Sequence, residues 1–317
     1  MEASLPPQQF NVTSYWAIIV AISTLEAFVG MWINAFIVGV LSIAWIKKKT
    51  LNSNEKILLL LGCSRICLLC FSYLYYCIAR IYANYFYVYP ILKLFALFAT
   101  FFNHCNLWVS ACLCCFYCVK IANFRNSFFI YLKVKIDRMV PWLLLGSEIL
   151  ALAMGIVFYD INEILQRNNI TSTSQENFWE MPVKKDKHFF SSFFLIGFGY
   201  AASFLAVIFS ALFLLFSLWR HKRTMQTSSM KDLSTEAHIR AMKSVLSFLV
   251  MYSINFVCLV LTIIYAMKKE NVMTLLIYIC LYAFPGVHSL TVIFSNPKLE
   301  KALLKILSCV KWEVFIK

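Results

Sequence analysis

A chain of 317 residues with 61% hydrophobic and only 14% charged residues, and a mean hydropathy of +0.74, is far more apolar than a water-soluble domain. It reads as a membrane protein that crosses the bilayer many times, and the length left over excludes a large soluble domain. The formal net charge of +14 sits in short stretches beside apolar segments, where topology and anionic lipid account for it, so nucleic acid is not the expected partner.

The first fourteen residues carry one charge, Glu2, and two prolines. They lack the basic region and small-residue cleavage site of a signal peptide, so the first span is expected to act as its own targeting signal. Asn11-Val12-Thr13 is a glycosylation sequon set unfavourably close to that span. A hydrocarbon core about 30 Å thick takes roughly 20 apolar residues per helix. Seven segments qualify, at about 15–46, 56–80, 89–119, 140–158, 189–219, 240–267 and 272–295. The fourth is the shortest, and several others must tilt or project into water. The expected fold is an all-α membrane protein: a short N-terminus over 1–14, a seven-helix bundle over 15–296, and a tail over 297–317 that forms an amphipathic helix.

Lys and Arg set the orientation. Twenty of the 29 basic residues lie on one set of connections, including Lys47–Lys49, Lys120, Arg220, Lys243 and Lys298, and eight lie on the other, with Arg65 left inside a span. The acids are split almost evenly, six against seven. The basic side is therefore expected in the cytoplasm, with the N-terminus outside, the C-terminus inside and the chain multi-pass in the plasma membrane.

Polar groups inside lipid are costly and face the bundle interior. Glu26, Gly30 and Asn34 fall on one stripe of the first span; Arg65 lies mid-span in the second; Asn103, Asn106 and Ser110 share a face of the third, with His104 beside them; Glu148 lies in the fourth, and His288 and Ser289 in the seventh. Asn34, Arg65, His288 and Ser289 are expected to form one network that holds helices together and can also act as a switch. Glu26 and Glu148 stand on separate helices without an evident partner, and no metalloprotease, nucleophile-elbow or phosphate-loop pattern occurs. The reading is therefore not an enzyme, with no catalytic residue, metal or cofactor. A membrane transporter or channel is the further alternative, against which no internal repeat is visible.

Of twelve cysteines all but Cys309 fall inside the spans, and none lies in 159–188, which leaves no disulfide from that loop to the third span. Cys63, Cys67 and Cys70 stand among Leu, Ile and Phe, as small packing residues do. Cys309, in the basic tail, is a palmitoylation candidate.

The connection over 217–243, SLWRHKRTMQTSSMKDLSTEAHIRAMK, is basic and contains a helix start. Ser234 or Thr235 can cap that helix, with Glu236 in its first turn and Arg240 four residues on. Its pieces SLWRH and STEAHIRAMK resemble the third cytoplasmic loop of type 2 taste receptors, the bitter-taste branch of the G-protein-coupled receptors. The resemblance runs through nearly the whole chain: Glu26 to Gly30 and Asn34 in the first span, Ser64-Arg65-Ile66 in the second, Asn103-His104 and Trp108 ahead of FYCVKIANF (116–124) in the third, and Pro285, His288-Ser289 and Asn296-Pro297-Lys298-Leu299 in the seventh. The Asp-Arg-Tyr, Cys-Trp-x-Pro and Asn-Pro-x-x-Tyr motifs of ordinary rhodopsin-type receptors are missing, so another chemosensory seven-helix receptor is the nearest alternative. Three positions depart from the family pattern: Ser203 replaces a proline frequent in the fifth span, Ala99 a tryptophan that often lines the cavity, and Tyr278 an acid some members use.

The resemblance implies a receptor for small bitter compounds that activates a heterotrimeric, gustducin-like G protein, leading to phospholipase C and calcium signalling. It implies a ligand pocket at Tyr76, Ala99, Phe102, Asn103, Asn255 and Tyr278, and a G-protein face at Tyr117, Lys120, His221, His238 and Lys243. It also places a glycosylation site at Asn169, and it leaves homo- or hetero-oligomers open as further partners.

Overall fold

The computed structural model describes residues 7–81, 90–122, 126–171, 187–226, 233–265 and 272–316, which form eight helices. In chain order these are α1 (Pro7–Lys48), α2 (Ser53–Ile81), α3 (Pro90–Ile121), α4 (Ser127–Thr171), α5 (Lys187–Gln226), α6 (Leu233–Tyr265), α7 (Val272–Ser295) and α8 (Pro297–Ile316). Seven of them, α1 to α7, contain a stretch long and apolar enough to cross a membrane. This is the expected seven-helix bundle followed by a short tail helix.

Local chemistry fixes the helix ends. Lys49 adopts a left-handed φ of 56° and closes α1. Asn52 and Glu55 form a capping box at the start of α2: Asn52 Oδ1 accepts from the Glu55 N–H at 2.8 Å, and Glu55 Oε2 accepts from the Asn52 N–H at 3.1 Å. Asn126 caps α4 through the Phe128 N–H at 2.9 Å. Asn296 caps α8 through the Lys298 N–H at 3.0 Å, with Pro297 at the first helical position, where its missing N–H costs nothing.

Two expectations need correction. The fourth span is not the shortest: α4 runs for 45 residues, starting thirteen before the expected boundary at 140. The basic residues Lys133, Lys135 and Arg138 were expected in a connection ahead of that span. Instead Ile136 and Val140, one turn apart, are buried in the core and draw this segment onto the bundle. Pro141 leaves the Asp137 carbonyl without its helical donor, and Ser53 Oγ of α2 faces that carbonyl at 3.5 Å. The second correction concerns α6, which begins at Leu233, so Ser234 and Thr235 lie within its first turn and not at its cap.

α3 is the central helix. Within its apolar stretch 61% of residues are buried, against 22% to 44% in the other six. It packs on α2, α4 and α5, while α1 lies against α2 and α7, and α6 against α5 and α7. The α1–α7 seam is close because Gly30 and Gly286 meet: a Cβ on Gly286 would sit 3.2 Å from the Gly30 Cα. One apolar core cluster, including Leu41, Leu61, Leu113 and Leu299, joins α1, α2, α3, α4, α7 and α8. A second, including Leu107, Tyr200, Val207 and Tyr252, joins α3, α5, α6 and α7. Outside, Trp32, Trp142 and Phe194 are each at least 75% exposed, as lipid-facing side chains are.

Candidate functional site: a buried arginine between two ends of the bundle

Arg65 is 1% exposed at the middle of α2. A guanidinium only donates hydrogen bonds, so it dictates the role of every neighbour. Nε donates to Asn106 Oδ1 at 2.8 Å, Nη1 to Ser289 Oγ at 2.7 Å, and Nη2 reaches Ser110 Oγ at 3.4 Å and His288 Nδ1. His288 Nδ1 is thereby the acceptor, which places the ring proton on Nε2. The Ser289 hydroxyl in turn donates a hydrogen bond to Asn34 Oδ1 at 2.7 Å, and Asn34 Nδ2 donates to the Gly30 carbonyl at 2.8 Å. The result is a directed chain across α2, α7 and α1 with a branch to α3.

Asn34, Arg65, His288 and Ser289 are thus brought together, and Asn106 and Ser110 join them. These six side chains are all buried. The Arg65 charge is spread over neutral acceptors, an arrangement that is stable only while each hydrogen bond is kept. Asn103, one turn away from Asn106, does not belong to this network. Its Nδ2 reaches across to Tyr200 Oη on α5 at 3.3 Å.

The end of the bundle away from α8 holds the pocket residues that the resemblance implies. Asn103 faces α5, and Phe102 faces α2, where its ring stacks on Phe71 at 5.6 Å and 15°. They therefore occupy different flanks of α3. Ala99 lies one turn further along α3 and is half-buried; Asn255 is buried in α6, and Tyr278 is 40% exposed on α7. The Tyr76 side chain lies outside the described residues. Beside Asn103, His104 is fully buried, stacks on Tyr200 at 4.9 Å, and has no hydrogen-bond partner on either ring nitrogen. Gly199 makes room for this packing, since a Cβ there would lie 3.1 Å from Met154 Cε and 3.4 Å from His104 Cε1. Ser203, at the family's frequent proline position, keeps the helix continuous and returns its hydroxyl to the Tyr200 carbonyl at 2.9 Å.

Tyr252 was not anticipated from the sequence. Its hydroxyl donates to the Leu107 carbonyl at 3.1 Å and so fastens α6 to α3. The ring is flanked by Phe204, Phe248 and Phe284. A tyrosine mid-span in the sixth segment carries a usable signal, because its hydroxyl must find a partner away from water.

At the α8 end a cleft of about 440 Å³, open space included, is lined by Leu113, Tyr117, Leu214, Phe248, His288, Thr291 and Ser295 among others. His288 is common to this cleft and the Arg65 network, and the Phe248 ring of α6 rests 4.5 Å from its imidazole. Tyr117 is part of the wall. Lys120 is already engaged, donating to Asp137 Oδ2 at 2.6 Å. Glu55, the capping residue of α2, also pairs with Lys298 at the start of α8. The His221, His238 and Lys243 side chains lie outside the described residues, as does that of Asn169. Cys309 is exposed on α8.

Glu148 accepts from Cys105 Sγ at 3.1 Å and joins α4 to α3, while Glu26 stands apart on α1. All twelve cysteines are free thiols.

The sequence matches the taste receptor protein family (TAS2R) over residues 12–311. The chain belongs to this family. Among its relatives, taste receptor type 2 member 7 of Macaca mulatta is 33% identical over 286 residues, covering 89% of this chain and 90% of the relative. Taste receptor type 2 member 9 of Pan troglodytes is 33% identical over 303 residues, covering 93% and 95%, and its Homo sapiens counterpart is 32% identical over the same length. The protein is a multi-pass membrane receptor of the bitter-taste class and belongs to no enzyme family. The buried arginine network therefore lies inside the helix bundle of a taste receptor.

Proposed function

We propose that the end of the bundle away from α8 faces the outside and binds small bitter compounds, and that the α8 end engages a heterotrimeric G protein of the gustducin type, leading to phospholipase C and calcium release. The supporting charge distribution is the concentration of basic residues on the connections at the α8 end. Asn103, Asn255, Tyr76, Ala99, Phe102 and Tyr278 form the ligand site, with apolar walls and a few orienting polar groups. Tyr117, Lys120, His221, His238 and Lys243 form the G-protein face, and Lys120 must leave Asp137 to serve there. Asn169 carries glycan and Cys309 a palmitoyl chain.

The observation that carries the coupling is the double position of His288, which accepts from Arg65 and also walls the cleft at the α8 end. A rearrangement of α6 that shifts Phe248 moves its packing partner in the network. Asn34, Arg65, His288 and Ser289 are therefore the switch. Agonist contributes only its difference in affinity between the resting and active arrangements.

The test is calcium imaging of cells that express this chain with a promiscuous G-protein chimera, challenged with a panel of bitter compounds and scored together with surface labelling. At least one compound should raise calcium only in cells that hold both receptor and chimera. Calcium entry that persists without the chimera would support a channel and refute this reading.

A further inference from the structure

The outer face of α4 differs from one that meets hydrocarbon alone. Tyr131, Lys135, Arg138 and Trp142 are all exposed, and their spacings of four, three and four residues keep them on one side of the helix. The same side continues without a break through Leu145, Ile149, Leu152 and Ile156, which are also exposed. Ile136 and Val140, buried in the core, lie on the opposite side. One stripe therefore runs from two cations, past an indole, into aliphatic side chains.

Asp137 fixes the level of the cations in the bundle. Ser53, the first residue of α2, faces its carbonyl at 3.5 Å, and Lys120, in the last turn of α3, pairs with its carboxylate at 2.6 Å. Lys135 and Arg138 thus flank the level at which α2 begins and α3 ends, the edge of the bundle on the α8 side. Trp142 lies about 6 Å beyond Arg138 along the helix axis, and Leu145 to Ile156 cover about 16 Å more. That length is close to half of a hydrocarbon core about 30 Å thick.

Most of the neighbouring charge is already satisfied. Asp137 is the one acid within 127–142, and Lys120 takes it. Lys133 turns to the Ala122 carbonyl at 3.3 Å. Lys135 is positioned but not neutralised: its ammonium donates to Tyr131 Oη at 2.6 Å and stands 4.4 Å from the centre of that ring, which leaves two of its three donors. Among the described residues no carboxylate pairs with Lys135 or Arg138.

We propose that this face of α4 seats one anionic phospholipid of the inner leaflet, such as phosphatidylserine. Lys135 and Arg138 hold its headgroup, Trp142 lies at its ester linkages, and an acyl chain follows Leu145 to Ile156. The match is one of charge and of order along the helix. A guanidinium takes phosphate oxygens through two parallel N–H donors, and an indole belongs at the boundary between headgroup and chain. An acidic soluble protein would fit the cationic turns only, because the stripe goes on into hydrocarbon. The seat is independent of the ligand and G-protein residues; only its assignment to the inner leaflet rests on the orientation proposed above. Nanodiscs carry the lipid in both leaflets, so the seat is tested whichever way the receptor faces in cells.

Full-length receptor is placed in phosphatidylcholine nanodiscs doped with phosphatidylserine or phosphatidylcholine, each carrying the same diazirine acyl chain. After illumination, mass spectrometry locates the lipid adducts. Each cation near an anionic headgroup is worth about fivefold in affinity, so the serine lipid should label 142–156 at least about tenfold more than the choline lipid. The preference should shrink in about 1 M salt, where the screening length is about 3 Å, and should vanish in K135Q/R138Q. Both side chains are exposed, so the double variant should keep the wild-type unfolding midpoint, and the comparison of lipids in wild type does not need it. Equal labelling of 142–156 by the two lipids would overturn the proposal, as would a preference that survives K135Q/R138Q. An equal serine preference on α1 around Ile43 and Trp45, exposed beside Lys47 and Lys48, would show general attraction to basic helix ends and overturn the seat. Absence of label on α4 from both lipids, the result if a second receptor copy covers this face, would overturn it too.

Discussion

Removing the guanidinium by Arg65→Ala is the sharpest perturbation available. It leaves Asn106 Oδ1, Ser289 Oγ and His288 Nδ1 without the donor each now has, and Ser110 loses a longer contact at 3.4 Å. A buried polar group left unpaired costs about 1–3 kcal/mol. Hydrogen bonds between membrane helices average only about 0.6 kcal/mol, because separated helices find other partners. Three good bonds therefore set a floor of about 2 kcal/mol. The upper end is reduced because the variant no longer buries a cation, which gives an expected loss of about 2–5 kcal/mol. Arg65→Lys keeps the charge but loses the planar fork, and should fall between wild type and Arg65→Ala. The measurement is the thermal unfolding midpoint of the purified receptor in one detergent, paired with surface labelling and calcium dose–response in cells. All agonists should be weakened alike. A wild-type midpoint with unchanged responses would refute the network's role, and a loss confined to one agonist would move Arg65 into the ligand site.

Further substitutions probe separate parts of the account. Asn103→Ala should raise the EC50 for most agonists while surface expression is kept, and unchanged dose–response curves would remove it from the pocket. Gly286→Ala pushes a methyl group to 3.2 Å from the Gly30 backbone and should cost about 1–3 kcal/mol by overpacking; Gly146→Ala, with nothing within 4 Å, should be neutral or gain up to about 1 kcal/mol from helix propensity. Both are read as shifts in the unfolding midpoint. Asn52→Ala removes the α2 capping box and should cost about 1 kcal/mol. A double-mutant cycle on Glu55 and Lys298 should give a coupling of about 0.5–1 kcal/mol, since the lysine is partly exposed; zero coupling would make that ion pair incidental.

Much of the fold was legible because lipid imposes simple rules. Seven apolar stretches of sufficient length had to be helices, and the structure places a helix on each. Arg65, Asn34 and Ser289 were legible for the same reason: a charge in hydrocarbon needs partners, and few were on offer. What stayed hidden depends on geometry between helices. Asn103 shares a face with Asn106 and Ser110 by helical spacing, yet it turns to Tyr200, because α5 passes close there at Gly199. Glu55 and Lys298 read as ordinary charges at the membrane edge, and only their apposition in space shows that α8 is fastened to α2. The extension of α4 through Pro141 was masked by its basic residues. Lys133 and Lys135 have local partners, the Ala122 carbonyl and the Tyr131 hydroxyl, so the helix continues with them on its outer side.

The central claim is that this bundle passes an agonist signal from one end to a G protein at the other. The most direct measurement is nucleotide exchange on a purified heterotrimer by the purified receptor in nanodiscs, using a compound that the calcium panel returns. The account predicts exchange that rises with agonist in wild type and is lost in Arg65→Ala at equal amounts of folded receptor. Exchange that ignores the agonist, or an Arg65→Ala receptor that responds as wild type does, would contradict it.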